Sequence, residues 1–122
     1  MTNASGGQDL VANAWLKLID ASDSSAAWGQ ASTRFRDHIS QAEWDDRLAQ
    51  ARQPLGKLKA RKLISSDSKS ELPGAPPGDY VVIAFQSLFE TGGELGERLT
   101  IMKDADGQFR VAGYYLVANP GD

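Results

Sequence analysis

Three runs of strand-forming residues decide the fold of this chain: DYVVIAF at 79–85, ERLTIMK at 97–103 and QFRVAGYYL at 108–116. The dipeptide Asp106-Gly107 separates the last two runs and is a strong signal for a tight β-hairpin. The sequence before residue 56 has helical periodicity instead. Helices first and strands afterwards predict an α+β domain, in which N-terminal helices pack on one face of a C-terminal antiparallel sheet of about four strands.

The helical half divides into three predicted helices. The first covers residues 9–21, with Asp9 as its N-cap, and the second covers residues 25–39. The third begins at a capping box formed by Ser40 and Glu43 and ends before Pro54, which cannot continue a helix. Each helix places its apolar residues on one stripe, as expected for a layer that packs on a sheet.

Residues 57–72 are predicted to form one long strand that precedes the other three. The proline-rich segment LPGAPPG at 72–78 then connects it to the central strand, and a glycine-rich connection at 91–96 separates the next pair. We therefore divide the chain into a flexible segment at 1–8, a single α+β domain at 9–118 and a tail at 119–122.

Composition excludes several classes of function. The 122 residues contain no cysteine, which removes disulfides, thiolate metal sites and a cysteine nucleophile. The net charge is −3 without a basic stripe, so nucleic acid is not an expected partner. We find no apolar run long enough to span a membrane and no pattern of a signal peptide.

The central strand is apolar on both faces, whereas a sheet covered on one side alternates apolar with polar residues. The face predicted to point away from the helices contains Tyr80, Val82, Ala84 and Leu88, extended by Met102, Ala112, Tyr114 and Leu116. A homodimer through this outer face would cover it. The alternative is that the strand at 57–72 or the chain ends fold over the same face.

Candidate acid–base chemistry rests on one histidine and three tyrosines. His38 is the only histidine, and no Ser or Asp stands at a spacing that would orient it as a general base. Its ordinary interpretation is a hydrogen-bonded or solvated residue at the edge of the core. Tyr80, Tyr114 and Tyr115 bring hydroxyls to the sheet, and the last two point to opposite faces.

Two arginines near the helix-to-strand corner form a second candidate site. Arg52 closes the third predicted helix and Arg61 lies in the following strand, so together they could bind an anionic group. We favour a structural role, in which they bond the exposed carbonyl groups at the end of the helix. Asp104 and Asp106 resemble the start of a calcium loop, but the hairpin explains them better, and we predict no metal and no cofactor.

The three tryptophans, Trp15, Trp28 and Trp44, fall on the inner stripes of the three predicted helices. We expect them to anchor the core, although three large rings could also form the wall of a pocket.

Several strings resemble DUF4019, a bacterial family of uncharacterised domains. They are AWL with LIDA at 14–16 and 18–21, ARQPLG with RKL at 51–56 and 61–63, LPGAP with GDYVV at 72–76 and 78–82, and DGQFRVAGYY at 106–115. The sequence departs from the family pattern at Phe109, where the pattern has Trp, and in the glycine-rich segment at 91–96.

This resemblance implies a cystatin-like or NTF2-like shape and an exported protein of the periplasm or the medium. It implies no established activity, so no catalytic residue is carried over. Our interpretation is a non-enzymatic domain that binds a protein or a ligand, with His38, Arg52, Arg61, Tyr80, Tyr114 and Tyr115 as candidate binding residues. The alternatives are a small NTF2-like isomerase or dehydratase, with His38 and Tyr114 or Tyr115 in a cone-shaped pocket, and an immunity-type or structural protein-binding module.

Overall fold

The computed structural model describes residues 6–118, in which four helices precede four strands. The helices are α1 (Gly6–Asp20), α2 (Ser24–Gln30), α3 (Thr33–His38) and α4 (Gln41–Arg52), followed by a 3-10 turn at Gln53–Leu55. The strands are β1 (Leu58–Lys69), β2 (Tyr80–Phe89), β3 (Gly93–Lys103) and β4 (Phe109–Val117). This arrangement confirms the α+β class.

The first helix begins earlier than predicted. Asp9 lies within the first turn of α1 rather than at its N-cap, because the helix already starts at Gly6. The proposed boundary between residues 8 and 9 therefore falls inside α1. Residues 1–5 and the tail at 119–122 lie outside the described part of the chain.

The predicted helix at 25–39 is wrong, since the structure divides it into α2 and α3. The break falls at Ala31 and Ser32, where the backbone is extended. Ser32 Oγ accepts a hydrogen bond from the Phe35 amide, and the Ser32 amide donates to the carbonyl of Val111 in β4 at 2.8 Å. A serine that caps a helix and bonds a strand outweighs the propensity to continue one helix.

Helix α4 matches its prediction at both ends. Ser40 and Glu43 form the predicted capping box, and Pro54 lies in the 3-10 turn that follows the helix. Gly56 then reverses the chain with φ of 75°, a conformation that only glycine adopts without strain. This corner places β1 directly after the helical layer.

The sheet is an antiparallel meander in the order β1-β2-β3-β4. The long first strand is confirmed, with bulges near Ala60 and Ile64. The connection between β2 and β3 is shorter than predicted, because Phe89 pairs with Gly93 and most of the glycine-rich segment belongs to β3. The hairpin at Asp106-Gly107 is confirmed, with Gly107 at φ of 87°.

A bulge in β4 changes which of its residues face the helices. Thr100 pairs with Gly113 and Ile101 pairs with Val111, so Ala112 is an extra residue in the strand. Beyond it, side-chain alternation is shifted by one position, which places Tyr114 on the helix-facing side with its partner Leu99. The assignment of Tyr114 and Leu116 to the outer face is therefore wrong.

Indole groups hold the helical layer together. Trp15 Nε1 donates to the Ala27 carbonyl at 2.9 Å, Trp28 Nε1 to Ile39 at 2.8 Å and Trp44 Nε1 to Ser24 at 3.0 Å. The rings of Trp15 and Trp44 lie 5.7 Å apart, and both residues are buried. Trp28 is half-buried at the edge of the same core. The tryptophans therefore serve as core anchors, as expected.

The outer face of the sheet is partly covered by the chain itself. Tyr80 is buried, and its hydroxyl donates to the Pro76 carbonyl at 2.5 Å, so the proline-rich connection lies over it. Val82, Ala84 and Met102 are half-buried on the same face. The homodimer through this face stays a prediction.

Candidate functional site

Six polar side chains meet on the helix-facing side of the sheet, and we call them the Glu97 cluster. One comes from each of α1, α4, β1, β2, β3 and β4; in this order they are Asp20, Arg52, Arg61, Ser87, Glu97 and Tyr114. Glu97 is fully buried at the centre, where β3 pairs with β2 on one side and β4 on the other. A buried carboxylate is costly unless it is paired and hydrogen-bonded, so its partners decide what it can do.

Arg61 joins the two carboxylates of the cluster. Its Nε and Nη2 lie 2.8 Å and 2.7 Å from Glu97 Oε1. Its Nη1 and Nη2 donate to the two oxygens of Asp20 at 2.8 Å and 2.9 Å, a bidentate arrangement. Burial lowers the pKa of Arg61, but the hydrogen bonds and charges of Asp20 and Glu97 outweigh burial, and the pKa is raised.

Two hydroxyls complete the shell of Glu97. Ser87 Oγ donates to Oε1 at 2.5 Å, and the Tyr114 hydroxyl donates to Oε2 in a short hydrogen bond. Burial, the negative charge of Glu97 and this hydrogen bond raise the pKa of Tyr114 far above its ordinary value. Tyr114 therefore keeps its proton at any physiological pH.

Arg52 takes a different place from the one predicted for it. It does not bond the carbonyl groups at the end of α4; its Nη2 donates to Asp20 Oδ1 at 3.2 Å. Its guanidinium lies 4.8 Å above the ring centroid of Phe89, and its Nη1 lies 4.0 Å from Glu97 Oε2. The bridge between α1 and the sheet explains this position better than the helix end does, because a charged partner binds more strongly than a carbonyl.

The cluster contains two arginines and two carboxylates, so its charges balance. Every oxygen of Glu97 already accepts at least one hydrogen bond from a side chain of the cluster. A general base needs an oxygen that can reach a substrate proton. The arrangement is suited to holding α1, α4 and the sheet together.

A cleft of about 600 Å³ lies above this cluster, between α3, α4 and the end of β4, and we call it the α3–β4 cleft. Its apolar floor and walls include Phe35, Ile39, Trp44, Leu48 and Leu116. Phe35 and Trp44 meet edge-on at 5.1 Å between ring centroids. The aromatic floor with an open mouth is typical of a binding site for an apolar group.

The rim of the cleft is positively charged. Arg34, His38 and Arg47 line it, and no carboxylate lies among the described residues of its lining. Arg34 Nη2 donates to the Gly74 carbonyl at 3.0 Å, which ties the rim to the proline-rich connection. His38 is exposed, and its Nδ1 donates to the Arg34 carbonyl at 2.8 Å, since a carbonyl oxygen can only accept.

The structure brings the predicted site residues together in two groups and leaves one apart. His38, Tyr114 and Tyr115 line the α3–β4 cleft. Arg52, Arg61 and Tyr114 belong to the Glu97 cluster, so Tyr114 is shared by both. Tyr115 is 55% exposed, in accordance with the prediction that the two tyrosines point to opposite faces. Tyr80 lies on the outer face of the sheet, far from both groups in the register of β2.

Sequence reasoning did not single out Asp20, Ser87 or Glu97. Side-chain alternation could have found two of them, because Ser87 follows Val81, Ile83 and Phe85 on one face of β2, and Glu97 precedes Leu99 and Ile101 on one face of β3. A polar residue at such an inward position predicts a buried partner of opposite charge. Asp20 carries no comparable signal, since its partners are distant in the sequence.

The two aspartates of the β3–β4 hairpin support local structure. Asp104 Oδ2 accepts from the amide and hydroxyl of Thr33 at the start of α3, and from Arg110 at 3.2 Å. Burial raises the pKa of Asp104, but these donors outweigh it and the pKa is lowered. The Arg110 guanidinium, which bonds both oxygens of Asp106, lowers the pKa of that carboxyl to about 2. Within residues 6–118, no group of three His, Asp or Glu side chains could hold a metal ion.

These features define a small α+β domain with a neutral buried ion cluster beneath an apolar, cation-rimmed cleft. Residues 11–114 match DUF4019, a family described as proteins of unknown function, and the chain belongs to this family. A comparison with curated proteins found no match. In the described part of the chain, no helix combines the length and the apolar character needed to cross a membrane.

Proposed function

We propose that this protein is a non-enzymatic binding domain and that the α3–β4 cleft is its binding site. The observation that carries this proposal is the state of the acid–base groups at the cleft. The Tyr114 hydroxyl donates to Glu97, and the pKa of Tyr114 is strongly raised by burial and by the charge of Glu97. His38 bonds the Arg34 carbonyl, and the described residues that line the cleft with it include no carboxylate.

The lining of the cleft supports binding for a second reason. Phe35, Trp44 and Leu48 are buried, yet they border an open space of about 600 Å³, which is within the range of natural ligand sites. An apolar group that enters this space gains about 25 cal/mol for each Å² removed from water. The positive rim adds a preference for ligands that carry a negative charge.

A cleft-filling variant tests the proposal. Ala51 lies in α4 on the lining of the cleft and is exposed, so Ala51→Trp should fill the space without disturbing the core. Ala42→Trp, an exposed position of the same helix outside the cleft, is the matched control. We expect a fragment library to shift the amide NMR signals of the cleft in the wild type and the control, and to lose this effect in Ala51→Trp. Shifts that map elsewhere, or that persist in Ala51→Trp, would contradict the proposal.

The enzymatic alternative makes a different prediction for His38. An isomerase or dehydratase of the expected type would lose turnover in His38→Ala, whereas a binding domain keeps its affinity for apolar fragments and its stability. His38 is exposed, so the free energy of unfolding should change by less than about 0.5 kcal/mol. If the protein converts a ligand and His38→Ala abolishes this conversion, the protein is an enzyme and the proposal of a non-enzymatic domain is wrong.

We further propose that the domain works in the bacterial cell envelope. This proposal is supported only by the resemblance to DUF4019, whose members often look like exported proteins. Fractionation of cells that express the natural gene, followed by immunodetection in the periplasm and the medium, tests the location directly. Recovery in the cytoplasm only would contradict it.

A further inference from the structure

The last strand of the sheet borders the α3–β4 cleft with its free edge. In the order β1-β2-β3-β4, β4 pairs only with β3, so one row of its backbone groups points away from the sheet. Near the start of the strand, the Ser32 amide binds the Val111 carbonyl, which shows that this row points toward the helices. Five consecutive residues, 112–116, then line the cleft. Since neighbouring side chains alternate between faces, such an unbroken run means that the cleft follows the edge itself.

The opposite wall of the cleft is helical and apolar. Phe35 from α3 and Trp44 and Leu48 from α4 face the strand across the open space. A groove between a free strand edge and a helix is the arrangement in which an extended peptide adds to a sheet. The backbone of the peptide pairs with the edge, and its side chains enter pockets between the strand and the helix.

The positive charge of the rim favours a peptide that carries negative charge. Arg34, His38 and Arg47 surround the cleft, and no carboxylate lies among the described residues that line it. The chain as a whole carries a net charge of −3, so this rim differs in sign from the rest of the protein. An acidic peptide is attracted here and a basic one is not.

We propose that the α3–β4 cleft binds an extended segment of a partner protein, which adds to β4 as a fifth strand and carries both apolar and carboxylate side chains. The apolar side chains pack on Phe35 and Trp44, and the carboxylates lie at Arg34 and Arg47. This inference rests on the proposed binding function of the same cleft and names its ligand.

The first test is selection from a phage-displayed library of random heptapeptides on the purified full chain, with Ala51→Trp for counter-selection. We expect enriched peptides to combine Asp or Glu with large apolar residues. Binding of the most enriched synthetic peptide is then followed by tryptophan fluorescence, since Trp44 lies in the cleft. Arg47→Glu should weaken this peptide about tenfold or more, because an attraction becomes a repulsion at the rim. Arg36→Glu, an exposed residue of α3 outside the cleft, should leave the affinity unchanged.

Strand addition has its own signature. Bound peptide should slow hydrogen exchange of the edge amides within residues 112–116. Only every second amide of an added strand bonds its neighbour, so N-methylation of the peptide amides that pair with β4 should abolish binding. Enriched peptides that are basic, or that bind without slowing exchange in β4, would overturn the inference.

Sodium octanoate and indole-3-acetate serve as small probes in the same assays. If these probes shift the cleft signals but no peptide is enriched, the cleft is a small-molecule site, so the peptide inference fails and the proposed binding function stands. If neither peptides nor small probes affect the cleft, both fail.

Discussion

Glu97 shows how a single buried charge organises its surroundings. Its carboxylate is fully buried, so the free energy of its desolvation has to be offset by the guanidinium of Arg61 and by two hydroxyl donors. Each donor comes from a different strand, which means that the carboxylate accepts bonds only when β1, β2 and β4 are all in place. The residue therefore selects one register of the sheet.

Removing the charge of Arg61 alone should destabilise the protein more than removing the charges of Arg61 and Glu97 together. Arg61→Met leaves Glu97 buried without the cation that bonds it, with only Arg52 nearby at 4.0 Å, which should lower the free energy of unfolding by about 3 kcal/mol. Adding Glu97→Gln in the same chain should recover at least about 1 kcal/mol, because a neutral amide can still bond the two hydroxyls. Urea unfolding followed by tryptophan fluorescence measures both variants. Arg36→Met on the exposed side of α3 is the control, and a double variant less stable than Arg61→Met would refute this account.

Tyr114 should make stability depend on alkaline pH. Because its pKa is raised in the folded protein, its contribution to stability is complete below the ordinary tyrosine value of about 10 and is lost as the pH rises above it. We expect the wild type to lose more stability than Tyr114→Phe between pH of about 9 and 11. Urea midpoints across this range, with absorbance at 295 nm as the measure of tyrosinate, check the prediction. Equal slopes for the two proteins would contradict it.

At the scale of elements, short polar side chains set the boundaries of helices and turns. Ser40 and Glu43 start α4 locally, within one turn of chain, and their pattern can be recognised in the sequence. Ser32 and Asp104 act over longer distances, since they tie the start of α3 to β4 and to the hairpin. The helix that was predicted to be continuous is broken where these distant bonds are made.

The hairpin between β3 and β4 should weaken in acid. The folded pKa of Asp106 is about 2, below its value in the unfolded chain, so its contribution is present above pH of about 4 and is lost as the pH falls toward 2. Asp106→Asn keeps a turn-forming Asn-Gly pair and should show a smaller loss over this interval. Urea midpoints at several acid pH values measure the effect. Asp37→Asn, an exposed carboxylate of α3, should follow the wild type, and an identical acid slope in Asp106→Asn would refute the assignment.

At the scale of the whole molecule, the two faces of the sheet have different roles. The inner face packs on the helices and contains the Glu97 cluster, and its end at β4 opens into the α3–β4 cleft. The outer face is covered at Tyr80 by the proline-rich connection, while Val82, Ala84 and Met102 are half-buried. Tyr115 points to the outer face and also lines the cleft, so the two surfaces meet at the edge of β4.

The predicted homodimer through the outer face can be tested by measuring the molecular mass of the protein in solution. Sedimentation velocity at tens of micromolar should give a dimer, and Val82→Glu at the middle of this face should give a monomer, because a charge would enter an apolar contact. Ala42→Trp on the helical side should leave the dimer intact. A wild type that stays monomeric throughout this concentration range would refute the prediction.

Much of the architecture follows from patterns that are local in the chain. Alternation of apolar residues identifies the strands, and the Asp106-Gly107 turn joins the last two of them. The capping box of α4 and the apolar stripes around Trp15 and Trp44 depend on neighbours within a few residues, so they too can be recognised without coordinates. The α+β class and the order of its elements were determined in this way.

The site was decided by contacts between residues far apart in the sequence. The bulge at Ala112 turns Tyr114 toward the helices, and this single register shift gives Tyr114 its bond to Glu97 and gives the cleft its floor. Asp20 and Arg61 are 41 positions apart and meet only because α1 packs on the sheet that contains β1. The sequence by itself determines the apolar stripes of the helices, the order of the strands and the Asp106-Gly107 turn, because these depend on local pattern. Which charges pair and where the cleft opens depend on strand register and helix packing, which exist only in the folded molecule.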